Sequence, residues 1–178
     1  MNLAGLPWRA AALAGLTVAT LSAATPASAA RADVELLQSY LGSWSGSSDI
    51  QGRFRGKDGG KVSCKLSLSP GNGDKVNYSG NCTLAGTSMT VKGTLVYNAA
   101  GNRYEAAMTS NVSFSGLAIG KRQGKGILFN FKERNKDEDG VGLSVNASIL
   151  LHPEKIGVDF DVAFDNGDKL SASVPFTK

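Results

Sequence analysis

From Trp44 to the C-terminus, apolar and polar residues alternate in short runs, and turn-forming residues end each run. The runs recur about every dozen residues, as in Val62–Leu68 and Ile156–Phe164. Since a period of two puts successive side chains on opposite faces of a strand, each run predicts a strand with one apolar face. The strongest turn signal is Asn166-Gly167, which suits a tight hairpin. About nine or ten such strands follow one another as hairpins, with no room for crossover helices.

Sequential hairpins predict an all-β fold, an antiparallel up-and-down meander. Such a sheet hides its unpaired edges by closing on itself, which gives a small lipocalin-like barrel of about 8–10 strands. A two-sheet sandwich is the alternative, but sandwiches usually need longer connections between their sheets. We therefore expect a barrel.

One segment before the strands has a different period. Arg31–Leu41 carries Val34, Leu37 and Leu41 at helical spacing, and Asp33 lies near its start, where a carboxylate suits a helix N-terminus. We expect one short helix that leads into the first strand and caps one end of the barrel.

The N-terminus has the pattern of an export signal. Met1–Arg9 contains one arginine, Ala10–Leu21 is an apolar run, and Thr25–Ala29 ends it with small residues. Ala10–Leu21 is too short for a membrane-spanning helix, which needs about 18–20 apolar residues. We expect a signal peptide over residues 1–29, a single barrel domain over residues 30–178, and a protein that is periplasmic or secreted.

Export makes the two cysteines interpretable as a pair, because an oxidising compartment converts neighbouring thiols into a disulfide. Cys64 shares the apolar face of one strand, Cys82 shares that of the next, and residues 69–74 form the turn between them. Folding the chain at that turn brings the cysteines opposite each other. The sequence therefore predicts a Cys64–Cys82 disulfide, with two buried free thiols as the alternative.

The sequence offers little for catalysis, metal binding or a cofactor. His152 is the single histidine, and its position beside a proline predicts a solvated turn residue. Residues 135–140 resemble half of an EF-hand loop, but the twelfth position is not Glu, so a polar turn is expected. Asp159, Asp161 and Asp165 alternate with apolar residues, which places them on a water-facing strand surface that suits acid–base chemistry poorly. We expect no catalytic residue, no metal, no cofactor and no enzymatic activity.

Basic residues gather around two loops: Arg53, Arg55, Lys57, Lys61 and Lys65 around one, and Lys121, Arg122 and Lys125 around the other. If both loops lay on one rim, they would form a positive mouth that attracts anionic envelope lipid or polysaccharide. The alternative is a scattered charged surface, since the net charge is only +4. Export argues against a nucleic-acid partner.

The short helix followed by Gly42-Ser43-Trp44 resembles the start of the calycin group, the lipocalin-like barrels, in which Gly-x-Trp opens the first strand. The resemblance implies a barrel with Trp44 at its floor, a small apolar or amphipathic ligand inside it and, for some secreted bacterial members, protease inhibition through an N-terminal arm. Avidin-like barrels have several pocket tryptophans, whereas Trp44 is the only one after residue 29. Barrels of the nitrobindin type need an axial histidine, which the predicted position of His152 does not supply.

Large side chains on the apolar strand faces are the candidate interior residues: Trp44, Phe54, Tyr78, Tyr104, Met108, Phe129 and Phe160. We expect an exported, non-enzymatic barrel that binds a small apolar or amphipathic ligand or an envelope component. Three alternatives remain open: a structural envelope protein with a filled core, an integral outer-membrane barrel with its apolar faces toward lipid, and a protease-inhibitor-like barrel.

Overall fold

The computed structural model describes residues 26–54, 56–111, 115–136 and 139–178. Within these residues, one helix precedes a sheet of twelve strands. The elements are α1 (Pro26–Gln38), β1 (Gly42–Asp49), β2 (Gln51–Phe54), β3 (Lys57–Asp58), β4 (Lys61–Pro70), β5 (Val76–Leu84), β6 (Thr87–Asn98), β7 (Arg103–Ser110), β8 (Ser115–Gln123), β9 (Gly126–Lys136), β10 (Gly142–His152), β11 (Lys155–Phe164) and β12 (Lys169–Thr177). Most of the predicted signal peptide, residues 1–25, lies outside the described residues.

The sheet closes into an antiparallel barrel. From β4 to β12 every strand pairs with its neighbours in the chain, and β1 pairs with β4 on one side and with β12 on the other. Ten strands therefore form the barrel wall, and β2 and β3 are additional. The expected all-β meander barrel is confirmed. The sandwich alternative is wrong, because β1 and β12 pair with each other and close one continuous sheet.

β2 continues the path of β1 along β12. Gly46 lies opposite Phe176 and Gly52 lies opposite Leu170, so both strands keep the same register against β12. Gly52 has a φ of +97°, which a residue with a side chain rarely adopts. β2 also pairs with β3 as a short hairpin, in which Arg53 lies opposite Asp58.

α1 caps one end of the barrel, as the sequence predicts, although it spans Pro26–Gln38 rather than Arg31–Leu41. Its last turn places Leu37 in the core, and the following Tyr40 turns inward; both are fully buried. The Tyr40 hydroxyl donates to the carbonyl oxygen of Leu151 at 3.1 Å, which ties the end of the helix to β10. Ending the helix before Tyr40 lets this side chain reach the barrel.

Trp44 lies directly beneath α1. Its side chain is 2% exposed, and its indole Nε1 donates to the carbonyl oxygen of Tyr40 at 3.0 Å. The ammonium group of Lys178 lies 4.8 Å from the centroid of the ring. Trp44 therefore forms part of the barrel floor, at the end that α1 covers.

The two ends of the barrel differ in burial. At the α1 end, which we name the closed end, inward side chains such as Tyr104, Ile127 and Ile156 are at most 1% exposed. At the opposite end, which we name the open end, inward side chains on β10 and β11 such as Val145 and Phe164 are only partly buried in the described structure. Solvent therefore reaches the interior from the open end.

The apolar faces of the strands point inward, and the polar faces point outward. On β5, for example, Asn77, Ser79 and Asn81 are exposed, while Tyr78 and Gly80 between them are half-buried and buried. This orientation is the reverse of the one that the outer-membrane alternative requires. No helix among the described residues is long and apolar enough to cross a membrane.

Candidate functional site

The barrel encloses a cavity of about 400 Å³ that reaches toward the open end. Its walls are almost entirely aliphatic and aromatic and come from β4–β7 and β9–β12. They include Leu66, Tyr78, Val91, Met108, Phe129, Phe131, Val145, Ile149, Val158, Phe160 and Phe164. A volume of this order suits one small organic ligand, and an apolar lining favours apolar parts of such a ligand.

The inner face of β8 carries only small residues along part of its length, and this leaves room for two rings. A Cβ atom added to Gly116 would lie 2.6 Å from the ring of Phe131, and one added to Gly120 would lie 2.7 Å from the ring of Phe129. Ala118 lies between the two glycines and is fully buried. Both rings therefore lie against β8 and line the cavity.

A third glycine has the same role beneath Tyr78. The Tyr78 ring crosses Gly93 on the neighbouring strand, and its hydroxyl donates to the carbonyl oxygen of Ala107 at 3.1 Å. Burial raises the pKa of the Tyr78 hydroxyl. Because the hydroxyl is used within the wall, Tyr78 offers mainly its ring to the cavity.

The predicted disulfide is present and forms part of the cavity wall. Cys64 and Cys82 lie opposite each other on β4 and β5, with their Cα atoms 4.1 Å apart. Both residues contact the cavity. The bond thus crosslinks the wall at a point where a bound molecule would touch it.

The structure divides the candidate interior residues into two groups. Tyr78, Met108, Phe129 and Phe160 contact the cavity. Trp44 and Tyr104 are buried at the closed end and are not among the residues that line it. The backbone of Phe54 belongs to β2, but its side chain lies outside the described part of the chain.

Tyr104 instead takes part in a polar contact that fastens α1 to the barrel. Its hydroxyl lies 2.5 Å from Oδ1 of Asp33, and Arg122 of β8 pairs with the same oxygen at 3.1 Å. Burial, together with the hydrogen bond to Asp33, raises the pKa of Tyr104. Because α1 begins at Pro26, Asp33 lies in the second half of the helix and not near its N-terminus, as the sequence suggested. Its carboxylate has a tertiary role instead.

The two basic loops do not share one rim, so the distribution of cations agrees with the alternative of a scattered charged surface. Antiparallel order places Lys57 and Lys61 at the open end, whereas Lys121, Arg122 and Lys125 lie around the β8–β9 turn at the closed end. Several of these cations have acidic partners: Arg53 pairs with Asp58, Lys61 with Asp49 and Arg122 with Asp33. Arg55 lies outside the described residues. The described cations thus form no single positive mouth.

His152 is less solvated than the sequence suggests. It ends β10 opposite Lys155, is half-buried, and its Nδ1 atom is buried without a hydrogen-bond partner in the described structure. Asp159, Asp161 and Asp165 are exposed, as expected. Among the described residues, no group of His, Cys, Asp and Glu side chains could hold a metal ion. Residues 137 and 138 of the EF-hand-like segment lie outside the described residues.

One residue near the cavity is absent from the sequence-based candidates. Glu133 follows Ile127, Phe129 and Phe131 on the inward face of β9, close to the open end. Continuing the period of two by one step beyond Phe131 would have identified it. A search restricted to apolar side chains could not.

No protein-family model and no curated protein matches this sequence. Among solved structures, the chain is similar to the crystal structure of Rv2717c from M. tuberculosis, with 12% sequence identity and a TM-score of 0.57. The match covers 82% of this chain and 96% of that chain. At this identity the likeness shows a shared barrel fold.

Proposed function

We propose that this protein is an exported, non-enzymatic barrel that binds a small apolar or amphipathic molecule in its interior. The apolar cavity of about 400 Å³ carries the proposal. Burial of apolar ligand surface there would supply roughly 25 cal/mol per Å² removed from water. The rings packed on Gly116 and Gly120 support the proposal, because they give the cavity aromatic walls without closing it.

The same cavity favours ligand binding over a structural protein with a filled core. A filled core leaves inward side chains closely packed, as they are at the closed end. Near the open end, Val145, Val162 and Phe164 face the cavity and are only partly buried. A ligand would bury these surfaces.

Export is supported by the Cys64–Cys82 disulfide, since such bonds persist in oxidising compartments. The apolar run and small residues before residue 30 support the same compartment. We propose a periplasmic or secreted location. We do not extend the proposal to protease inhibition, because the described part of the N-terminal segment is packed on the closed end.

Filling the cavity tests the proposal. Ala147 lies on the inner face of β10 between Phe131 and Phe160, so Ala147→Phe adds a ring to the cavity. The wild-type protein should bind the neutral dye N-phenyl-1-naphthylamine saturably, with blue-shifted emission. Ala147→Phe should weaken this binding by about tenfold or more. A tenfold loss of affinity corresponds to the burial of roughly two methylene groups of the dye.

Ala163→Phe is the matched control. Ala163 lies on β11 between two residues that face the cavity, so its own side chain faces away from the cavity. It should bind the dye as the wild type does, and circular dichroism should show the same strand content for all three proteins. Absence of saturable binding by the wild type, or equal binding by Ala147→Phe, would refute an interior ligand site.

A further inference from the structure

Glu133 places a carboxylate on the inner side of the barrel at its open end. It lies opposite Val145 of β10, which lines the cavity, and continues the inward series that includes Phe129 and Phe131. Its Oε2 atom lies 3.6 Å from the position that a Cβ atom of Gly116 would occupy, on the neighbouring β8. The side chain is half-buried.

Charged residues are rare on the inner strand faces. Among the described residues, the inward series of the barrel strands contain two: Arg122, at the closed end, and Glu133. Arg122 is paired with Asp33. The side chain of Glu133 has no hydrogen bond or ion pair with a described residue. Its cationic sequence neighbours Lys132 and Arg134 are exposed on the outer face, where Arg134 pairs with Asp165.

Partial burial beside the Phe131 ring removes some of the water around this carboxylate, and a donor or a cation would replace that lost hydration. The protein supplies none from the described residues, but a ligand in the cavity could. Its apolar part would contact Val145 and the ring of Phe131, and its polar end would reach the open end at Glu133. Protonated amines form the strong, charge-assisted hydrogen bonds that such a carboxylate accepts.

We propose that the ligand is a cationic amphiphile, an apolar chain or ring system with a protonated amine, and that Glu133 binds the amine at the open end. This inference rests on the proposed function, since it assigns the chemical class of the molecule in the cavity. The cavity wall would bind the apolar tail of the ligand, and the carboxylate of Glu133 would bind its amine.

Three ligands with the same ten-carbon chain separate the two contributions: decylamine, decanol and decanoate. Each is used at neutral pH and below its micelle concentration to displace N-phenyl-1-naphthylamine from the wild-type protein. Decylamine should bind most tightly, decanol less tightly and decanoate least. Glu133→Gln should weaken decylamine about tenfold, the scale of one hydrogen bond to a charged group, and should leave decanol unchanged.

Glu154→Gln is the matched control, because Glu154 is an exposed carboxylate in the β10–β11 turn at the closed end. It should leave all three affinities unchanged. If the wild-type protein does not bind N-phenyl-1-naphthylamine saturably, the proposed function fails and this inference fails with it. If the dye binds but decylamine does not displace it, this inference alone is refuted. If decanol binds but decylamine shows no advantage, or if Glu133→Gln leaves decylamine unchanged, the inference alone is refuted.

Discussion

At the scale of single residues, Trp44 is fixed by contacts on more than one side. Its indole N–H is satisfied by the carbonyl of Tyr40, and the ammonium group of Lys178 lies over its ring. Satisfying the N–H matters, because a buried indole donor without a partner would offset part of the gain from burying the ring. The hydrogen bond also orders the chain between α1 and β1.

Removing this ring should destabilise the protein strongly. We expect Trp44→Ala to lower the free energy of unfolding by about 3–5 kcal/mol, the range for deleting a large aromatic side chain from a core. Chemical denaturation measures the loss, and Trp44→Phe, which keeps a ring at the floor, should cost much less.

Fluorescence gives an independent measurement on the chain from residue 30 onward, in which Trp44 is the only tryptophan. Native emission should be blue-shifted and poorly quenched by acrylamide. Red-shifted, readily quenched emission together with unchanged stability of Trp44→Ala would contradict a buried floor residue.

At the scale of elements, the β4–β5 hairpin combines a ladder of inward apolar pairs with one covalent bond. Val62 lies opposite Leu84 and Leu68 opposite Tyr78, with the Cys64–Cys82 pair between them. The ladder aligns the cysteines before they react, and the bond then restricts the unfolded chain over a separation of 18 residues. The hairpin should therefore form without the bond but lose stability.

Replacing both cysteines by serine should lower the free energy of unfolding by roughly 3 kcal/mol, the chain-entropy value for a loop of this length. Strand content should be unchanged. Ser63→Ala combined with Thr83→Ala is the control, because these residues form the next pair of the same ladder on its outer face. Titration of denatured protein should find no free thiol, and two free thiols would refute the bond.

The strands and their inward faces follow from the period-two pattern, but the shape of the cavity wall does not. From the sequence alone, Gly116 indicates the end of a strand, because glycine disfavours strands and supplies no side chain for packing. In the fold it lies within β8, and its missing side chain is what allows the Phe131 ring to pack there. This role depends on a residue of the neighbouring strand, so single-strand patterns could not reveal it.

At the scale of the whole molecule, the barrel has one sealed end and one accessible end. The sequence predicts a capping helix, and therefore a sealed end, but the distribution of basic loops between the two ends requires the actual strand directions. Three tyrosines belong to the barrel interior: Tyr40 and Tyr104 lie at the closed end, and Tyr78 lies in the cavity wall.

Because of these tyrosines, the free energy of unfolding should depend on pH in the alkaline range. Burial raises the pKa of Tyr40 to about 12 and also raises those of Tyr78 and Tyr104. The unfolded chain loses these protons near pH 10, while the native protein retains them. Stability from the neutral hydroxyls is thus complete below about pH 10 and declines as the pH rises above it.

Ultraviolet absorbance of tyrosinate measures this difference. Native protein should develop the signal at clearly higher pH than protein in denaturant, and Tyr78→Phe should reduce the alkaline loss of stability. Coincident titration curves for native and denatured protein would contradict the burial of these hydroxyls.

The pairing that closes the barrel also sets an order of events during folding. Every strand pair from β4 to β12 is a hairpin between neighbours in the chain, which a chain can form locally. The contact between Gly46 and Phe176 instead joins segments from opposite parts of the sequence. Such a non-local contact requires the chain to lose the entropy of closing a long loop before the contact contributes any stability. We therefore expect closure to limit the folding rate, and until it happens β1 and β12 present open edges to any other chain nearby.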